Sequence, residues 1–206
     1  MNNVYYVERT ANGSNQISLK SKLLERRVIY LDCEINSESV GDIIRQISLL
    51  SADDPEGEIT MLINSPGGSI QEGLVLIDVM RSHKGAINTV SLGIAASMAA
   101  VILAAGTKGH RYISKSSQAM LHQPLISGGV PAGSCSEVEG VAKSLIARKK
   151  QLDDLLITLT ERPRKEILKL TAKDTYLDAE EALKYGLVDK IAEGEELNRL
   201  IGGAAI

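Results

Sequence analysis

Glu58-Ile59-Thr60-Met61-Leu62-Ile63-Asn64-Ser65-Pro66-Gly67-Gly68-Ser69-Ile70 is the stretch that decides the fold. Residues 58–63 form a short, largely apolar run that reads as a buried strand. Asn64 to Ser69 follow as a turn, rich in the residues that chain reversals need. Beyond it Ile70, Gly73, Leu74 and Ile77 recur at i, i+3, i+4 and i+7, the period of a helix face. The same sentence is written on both sides. Upstream, residues 27–31 read as a strand, and Ser37 can cap a helix running to about Leu50. Downstream, residues 87–92 read as a strand, Gly93 as a turn, and a small-residue helix starts near Ala96. Strand, turn and helix in alternation specify an α/β fold with parallel strands.

Further along, short strands are expected at residues 111–113 and 119–122. The loop from Pro124 to Cys135 contains Gly128-Gly129 and Pro131-Ala132-Gly133 and should be flexible. A long helix over residues 137–160 carries Val138, Val141, Leu145, Leu152, Leu155, Leu156 and Leu159 as one apolar stripe. Either it projects from the body and packs on another subunit, or it is a core helix; periodicity fits both. Residues 1–20 are polar, with a turn signal at Asn12-Gly13-Ser14-Asn15, and read as a mobile arm or hairpin.

The chain has 206 residues, enough for one domain with a full core. Its formal net charge of -3 leaves no electrostatic footprint for nucleic acid or an anionic membrane. Trp and Phe are absent, so aliphatic side chains must fill the core, and no stacking platform for single strands exists. No run approaches the roughly 20 apolar residues of a membrane span. The two cysteines, Cys33 and Cys135, make neither a metal motif nor a disulfide framework. The expected setting is a reducing cytoplasm.

Four features could carry chemistry. In Gly93-Ile94-Ala95-Ala96-Ser97-Met98-Ala99, a serine follows a strand and a permissive glycine, among neighbours too small to cover it. Ser97 is either a presented nucleophile or the N-cap of an Ala-rich helix. The paired glycines of the 64–69 turn can point backbone N–H groups into a cleft, and Gly68 with Met98 could supply two donors to an oxyanion. An ordinary turn is the rival; a phosphate loop is not, because the Walker pattern is missing. Of three histidines, His83 and His110 sit in polar, Lys-rich surroundings and are expected to be solvated. His122 closes an apolar strand, as a base or as a structural histidine. The carboxylates considered are Asp153, Asp154, Asp174, Asp178 and Asp189. Asp178 begins a capping box with Glu181. Asp153 and Asp154 fall near the polar side of the long helix. Asp174 lies in an irregular stretch from which it could reach His122. A Ser-His-Asp unit would let His take the serine proton while Asp holds the imidazole.

At these residues the chain resembles the proteolytic subunit family of the Clp protease, a caseinolytic serine peptidase. The matching stretches are residues 63–69, 93–98, 104–109, 120–124, 180–182 and 185–189, within a resemblance from about Leu23 to Ile191. The resemblance implies Ser97 as nucleophile, His122 as base, Asp174 as orienter, and Gly68 and Met98 as oxyanion-hole donors. It also implies a crotonase-like α/β spiral. Residues 21–124 and 161–195 would be the head, 125–160 a projecting handle loop and helix, 1–20 an axial hairpin and 196–206 a tail. Two stacked seven-membered rings would enclose a chamber. A hexameric AAA+ unfoldase would feed it unfolded polypeptides. No metal or cofactor belongs to this chain, and ATP would be used only by that partner.

Several positions depart from the family pattern. Thr60, Leu62 and Ser82 stand where aromatics often line the unfoldase-docking pocket. Ser18-Leu19-Lys20-Ser21 replaces a polar tie near the entrance. Leu170 and Lys173 replace an ion pair beside the catalytic aspartate. A non-catalytic ring component paired with a second subunit of the same type is therefore one alternative. An acyl-CoA enzyme of the wider fold is another.

Overall fold

The computed structural model describes residues 5–10, 13–126 and 133–202. In chain order the elements are β1 (Tyr5–Thr10), β2 (Gly13–Ser18), α1 (Leu19–Glu25), β3 (Val28–Leu31), α2 (Ser37–Asp53), β4 (Ile59–Ser65), α3 (Ile70–Ser82), β5 (Ile87–Ala96) and α4 (Met98–Ala104). They continue with β6 (Arg111–Ser114), β7 (Gln118–Leu121), α5 (Cys135–Thr160), α6 (Arg164–Thr171), β8 (Thr175–Leu177), α7 (Ala179–Lys184), β9 (Lys190–Ala192) and α8 (Gly194–Leu200). Strands β3, β4, β5, β6 and β9 lie side by side in that order, every pair parallel. The α/β reading with a parallel sheet is what the chain adopts.

The sheet forks along β5. Its first part, Thr89 to Ser91, pairs with β6, while Ile94 to Ala96 pairs with β7, also parallel. The break falls at Gly93, at φ 108°. A side chain there would sit 2.6 Å from Asn64 Oδ1, which accepts the Ile94 N–H at 3.1 Å, while Ser117 Oγ accepts the Gly93 N–H at 2.7 Å. Only glycine allows that backbone so close to Asn64. Strand β8 then joins β7 antiparallel.

The core lies between the sheet and its helices. Ile29, Leu31, Met61 and Ile63 face α2 and α3 residues such as Ile47 and Leu76, and α4 is buried along its whole length. A second cluster joins Val28, Leu62, Val90, Tyr112 and Leu200. One buried ion pair ties the sheet to the C-terminal part. Arg111, 1 % exposed, bonds Asp189 through Nε at 2.8 Å and also donates to the carbonyl of Leu159 at 2.9 Å. Burial raises the Asp189 carboxyl, but Arg111 and the Arg111 and Gly109 amides outweigh it and hold the group below the usual carboxylate range.

Several details correct the sequence reading. Asn36, not Ser37, caps α2: its Oδ1 accepts from the Glu38 and Ser39 amides, and Ser39 Oγ accepts in return from the Asn36 N–H. The opening segment is a hairpin over the described residues, and Ser18 ends it by capping α1 through the Ser21 amide at 3.0 Å. Local capping thus occupies the place of the missing polar tie, with Lys20 paired to Asp42. Leu62 is 2 % exposed, covered within the second cluster, and Thr60 Oγ1 accepts from Asn88 at 3.1 Å, so neither side chain stands open on the surface of this chain. The packed body continues past residue 195, because Leu200 on α8 is fully buried. Gly128, Gly129, Pro131 and Ala132 lie outside the described residues.

Helix α5 is two different helices in one. Ser134 and Glu137 make its capping box, so it starts two residues before the expected 137. From Cys135 to Lys150 no residue is buried; Leu152, Asp153, Leu156 and Thr160 are. Only the last part of the expected stripe meets the core, and the first part extends away from it. Asp153 is a correction of another kind: it is not on the polar side but 4 % exposed.

Candidate active site

The strand ladder itself brings the site together. Ala96 is aligned with Met120 in the parallel β5–β7 pair, and the Ser97 N–H donates to the Met120 carbonyl at 2.8 Å. The ladder ends there, so Ser97 and His122 leave the ends of neighbouring strands side by side. His122 Nε2 stands 2.8 Å from Ser97 Oγ. In the antiparallel β7–β8 pair Leu121 is aligned with Thr175. One step beyond that register lie His122 and Asp174, with His122 Nδ1 3.7 Å from Asp174 Oδ1. The two arms differ: His122's side chain is 14 % exposed, Asp174's 69 %.

Ser97 occupies the N-cap position of α4 but caps nothing with its side chain. Its backbone is at φ 56°, ψ −123°, a region that costs a non-glycine residue energy and is tolerated where the surroundings enforce it. A capping serine would have extended backbone and a bond to the N2 or N3 amide. The N-cap reading of Ser97 therefore gives way to a hydroxyl turned towards His122.

The turn at 64–69 is pinned beside it. Ile35 donates to the Gly67 carbonyl and Ser69 donates to the Ile35 carbonyl, each at 2.8 Å, around a parallel bridge between Ile35 and Gly68. In that pattern the flanking residues make the bonds, and Gly68's own N–H faces away from Ile35. A side chain at Gly67 would sit 2.5 Å from the Ala96 carbonyl and 2.8 Å from Ser97 Cβ. Gly67 is thus what lets the turn close on the serine. Met98 is the first residue of α4, where helical geometry leaves the amide without an intrahelical acceptor.

The structure thus groups Ser97 and His122 within hydrogen-bond distance, Asp174 beyond it, and the Gly67–Gly68 turn against the Ser97–Met98 step. His83 and His110 do not join them, and neither is freely solvated: His83 bridges Ser51 Oγ at 2.8 Å and the Gly57 carbonyl at 2.9 Å, and His110 bonds Asn88 at 2.7 Å. Asp178 caps α7 with Glu181, and Asp154 pairs with Arg164. Residues to which sequence reasoning gave no place at the site are Gly67, Asn64 and Asp153. The Gly-Gly pair signalled a close approach without saying which glycine makes it, and nothing in the helical pattern marked Asp153 as buried. Among the described residues no group of three or more His, Cys, Asp or Glu could hold a metal, and no helix is long and apolar enough to cross a membrane.

A serine on a strained strand-to-helix turn, with a histidine nitrogen at 2.8 Å, is the arrangement of a nucleophile and its general base on an α/β scaffold. The family model for Clp protease matches residues 11–195. The chain belongs to the Clp protease family, a family of peptidases.

Proposed function

We propose that this chain is a serine endopeptidase that cleaves unfolded polypeptides inside an oligomeric chamber. The observation that carries the reading is the 2.8 Å contact between His122 Nε2 and Ser97 Oγ at a backbone held at positive φ. In the reaction, His122 takes the Ser97 proton as Oγ attacks the scissile carbonyl. The oxyanion is held by the Gly68 and Met98 amides. His122 returns the proton to the leaving amine, and water then cleaves the acyl-enzyme by the same path. Asp174 orients the imidazole, and at 3.7 Å it must move closer to do so. The forked sheet supports a crotonase-like spiral. The exposed first part of α5 supports a handle that packs against a second subunit, as in two stacked heptameric rings. An AAA+ unfoldase would deliver substrate and hydrolyse the ATP. Cys33 and Cys135, both exposed and unpaired, suit a reducing cytoplasm.

Intact mass after treatment with a phosphonylating serine reagent tests this. A single adduct on the wild type, absent from Ser97→Ala, is expected. No adduct on either, in protein shown to be assembled by sedimentation, would refute an activated serine and leave the ring-component alternative.

A further inference from the structure

Strand β5 carries a bulge where it changes partners. Ile63 is aligned with Ser91 and Ser65 with Ala95, so Asn64 alone stands opposite Leu92, Gly93 and Ile94. A bulge leaves its extra backbone groups without ladder bonds and re-aims the strand beyond it. Here two consecutive amides are met by side chains instead. Asn64 Oδ1 accepts from Ile94 at 3.1 Å, and Ser117 Oγ accepts from Gly93 at 2.7 Å. Ser117 is itself fixed within the fold: it is 1 % exposed, donates to the Ser91 carbonyl at 3.1 Å and lies 2.6 Å from Ser114 Oγ.

Asn64 is held differently. It is exposed, and its backbone lies outside the left-handed region, so no turn geometry requires an asparagine there. Its Nδ2 meets no partner among the described residues. What the position uses is one acceptor atom. The segment which that atom holds ends on the nucleophile. Ile94 is three residues before Ser97, and between them β5 takes up its pairing with β7, Ala96 against Met120. That register sets the bond from the Ser97 N–H to Met120 and the 2.8 Å approach of Ser97 Oγ to His122 Nε2. A strand that re-settles by one residue moves by about 3.3 Å and turns its side chains to the opposite face. A misplacement of about 1 Å is enough to cost about a hundredfold in rate.

We propose that Asn64 is a positioning residue for the nucleophile: its Oδ1, acting on the Ile94 amide, fixes the bulge and so the place where β5 delivers Ser97 beside His122. Resting on the endopeptidase reading, this role gives Asn64 no contact with substrate, so its loss falls on kcat and not on KM.

The test compares Asn64→Ala, which removes the acceptor, with Asn64→Asp, which keeps Oδ1 and gives up only the unused Nδ2 donors. Assembly is checked by sedimentation. The values of kcat and KM are measured on one fluorogenic peptide, and the rate of Ser97 labelling by the phosphonylating reagent is measured in parallel. In assembled Asn64→Ala, kcat and the labelling rate are expected to fall by about a hundredfold. KM should change by less than about threefold. Asn64→Asp is expected to recover both rates to within about tenfold of the wild type. A residue needed only for folding would lower the amount of assembled protein and leave the rate per assembled site unchanged. If Asn64→Ala does not assemble, Asn64→Ser, whose hydroxyl is too short to reach the Ile94 amide, takes its place. Unchanged kcat and labelling in the assembled variant without the acceptor, or an Asn64→Asp as slow as that variant, overturns the role of Asn64 and leaves the peptidase reading intact. A wild type that neither cleaves the peptide nor takes the label overturns both.

Discussion

Ser97 and His122 are held by paired strands, whereas Asp174 is carried on an exposed connector between α6 and β8. The first two emerge from a ladder whose last bond, Ser97 N–H to the Met120 carbonyl, is 2.8 Å long, and their side chains meet at 2.8 Å. Asp174 is 69 % exposed and its carboxylate stops 3.7 Å from the imidazole. A group at the end of a hydrogen-bonded ladder inherits the precision of the sheet. A group one residue outside a three-residue strand does not, and its alignment depends on whatever packs against it. The Ser97–His122 contact is therefore built into the chain, and the approach of Asp174 is the adjustable one.

The strongest way to break this contrast is to remove its fixed side. Ser97→Ala should lower kcat by about a millionfold, measured on a peptide substrate. Asp174→Asn should cost less, about ten-thousandfold at most. A loss equal to that of Ser97→Ala would mean that the loose arm tightens fully in the assembled protein. Next, Asp189→Asn leaves Arg111 buried without its charge partner and should destabilise by about 3–5 kcal/mol, read from denaturant unfolding. Because the folded carboxyl is held below its usual range, the pair stabilises above the unfolded value. That contribution disappears as pH falls through the lower, folded value. Acid unfolding of the wild type should therefore be steeper than that of Asp189→Asn. Gly67→Ala places a methyl group against the Ala96 carbonyl and Ser97 Cβ at φ 93°, and should cost about 1–3 kcal/mol with an accompanying loss of serine labelling. The smallest effect is expected on the surface. Lys20→Ala, which removes the exposed pair with Asp42, should change stability by at most about 1 kcal/mol.

The same contrast explains what was legible beforehand. Strands β4 and β5 were readable because buried parallel strands are short apolar runs bounded by turn residues. Helices α3 and α4 were readable from the turns that precede them. Boundaries slipped where side chains competed for one job. Asn36 and Ser37 are both good caps, and only the geometry of the incoming chain gives the cap to Asn36. Histidines 83 and 110 looked solvated because their neighbours in sequence are charged, yet their ring nitrogens meet Ser51, Gly57 and Asn88 from distant segments. Asp153 looked polar-facing because the apolar stripe of α5 is regular along its length. Only the last part of that helix meets the core, and there the buried face is wider than the stripe.

By itself, then, the sequence determined the alternation of strands and helices, the glycines at the two sharp turns, and the residue types able to act at Ser97, His122 and Asp174. These follow from local rules: burial periodicity, backbone freedom and side-chain chemistry. Tertiary structure alone decided that β5 divides its partners between β6 and β7, that Ser97 turns its hydroxyl to His122 instead of capping α4, that Asp174 stays apart, and that Asp153 is buried. Each is a matter of which distant segments come within a few ångströms, and that is set by strand register and packing, which no local pattern encodes.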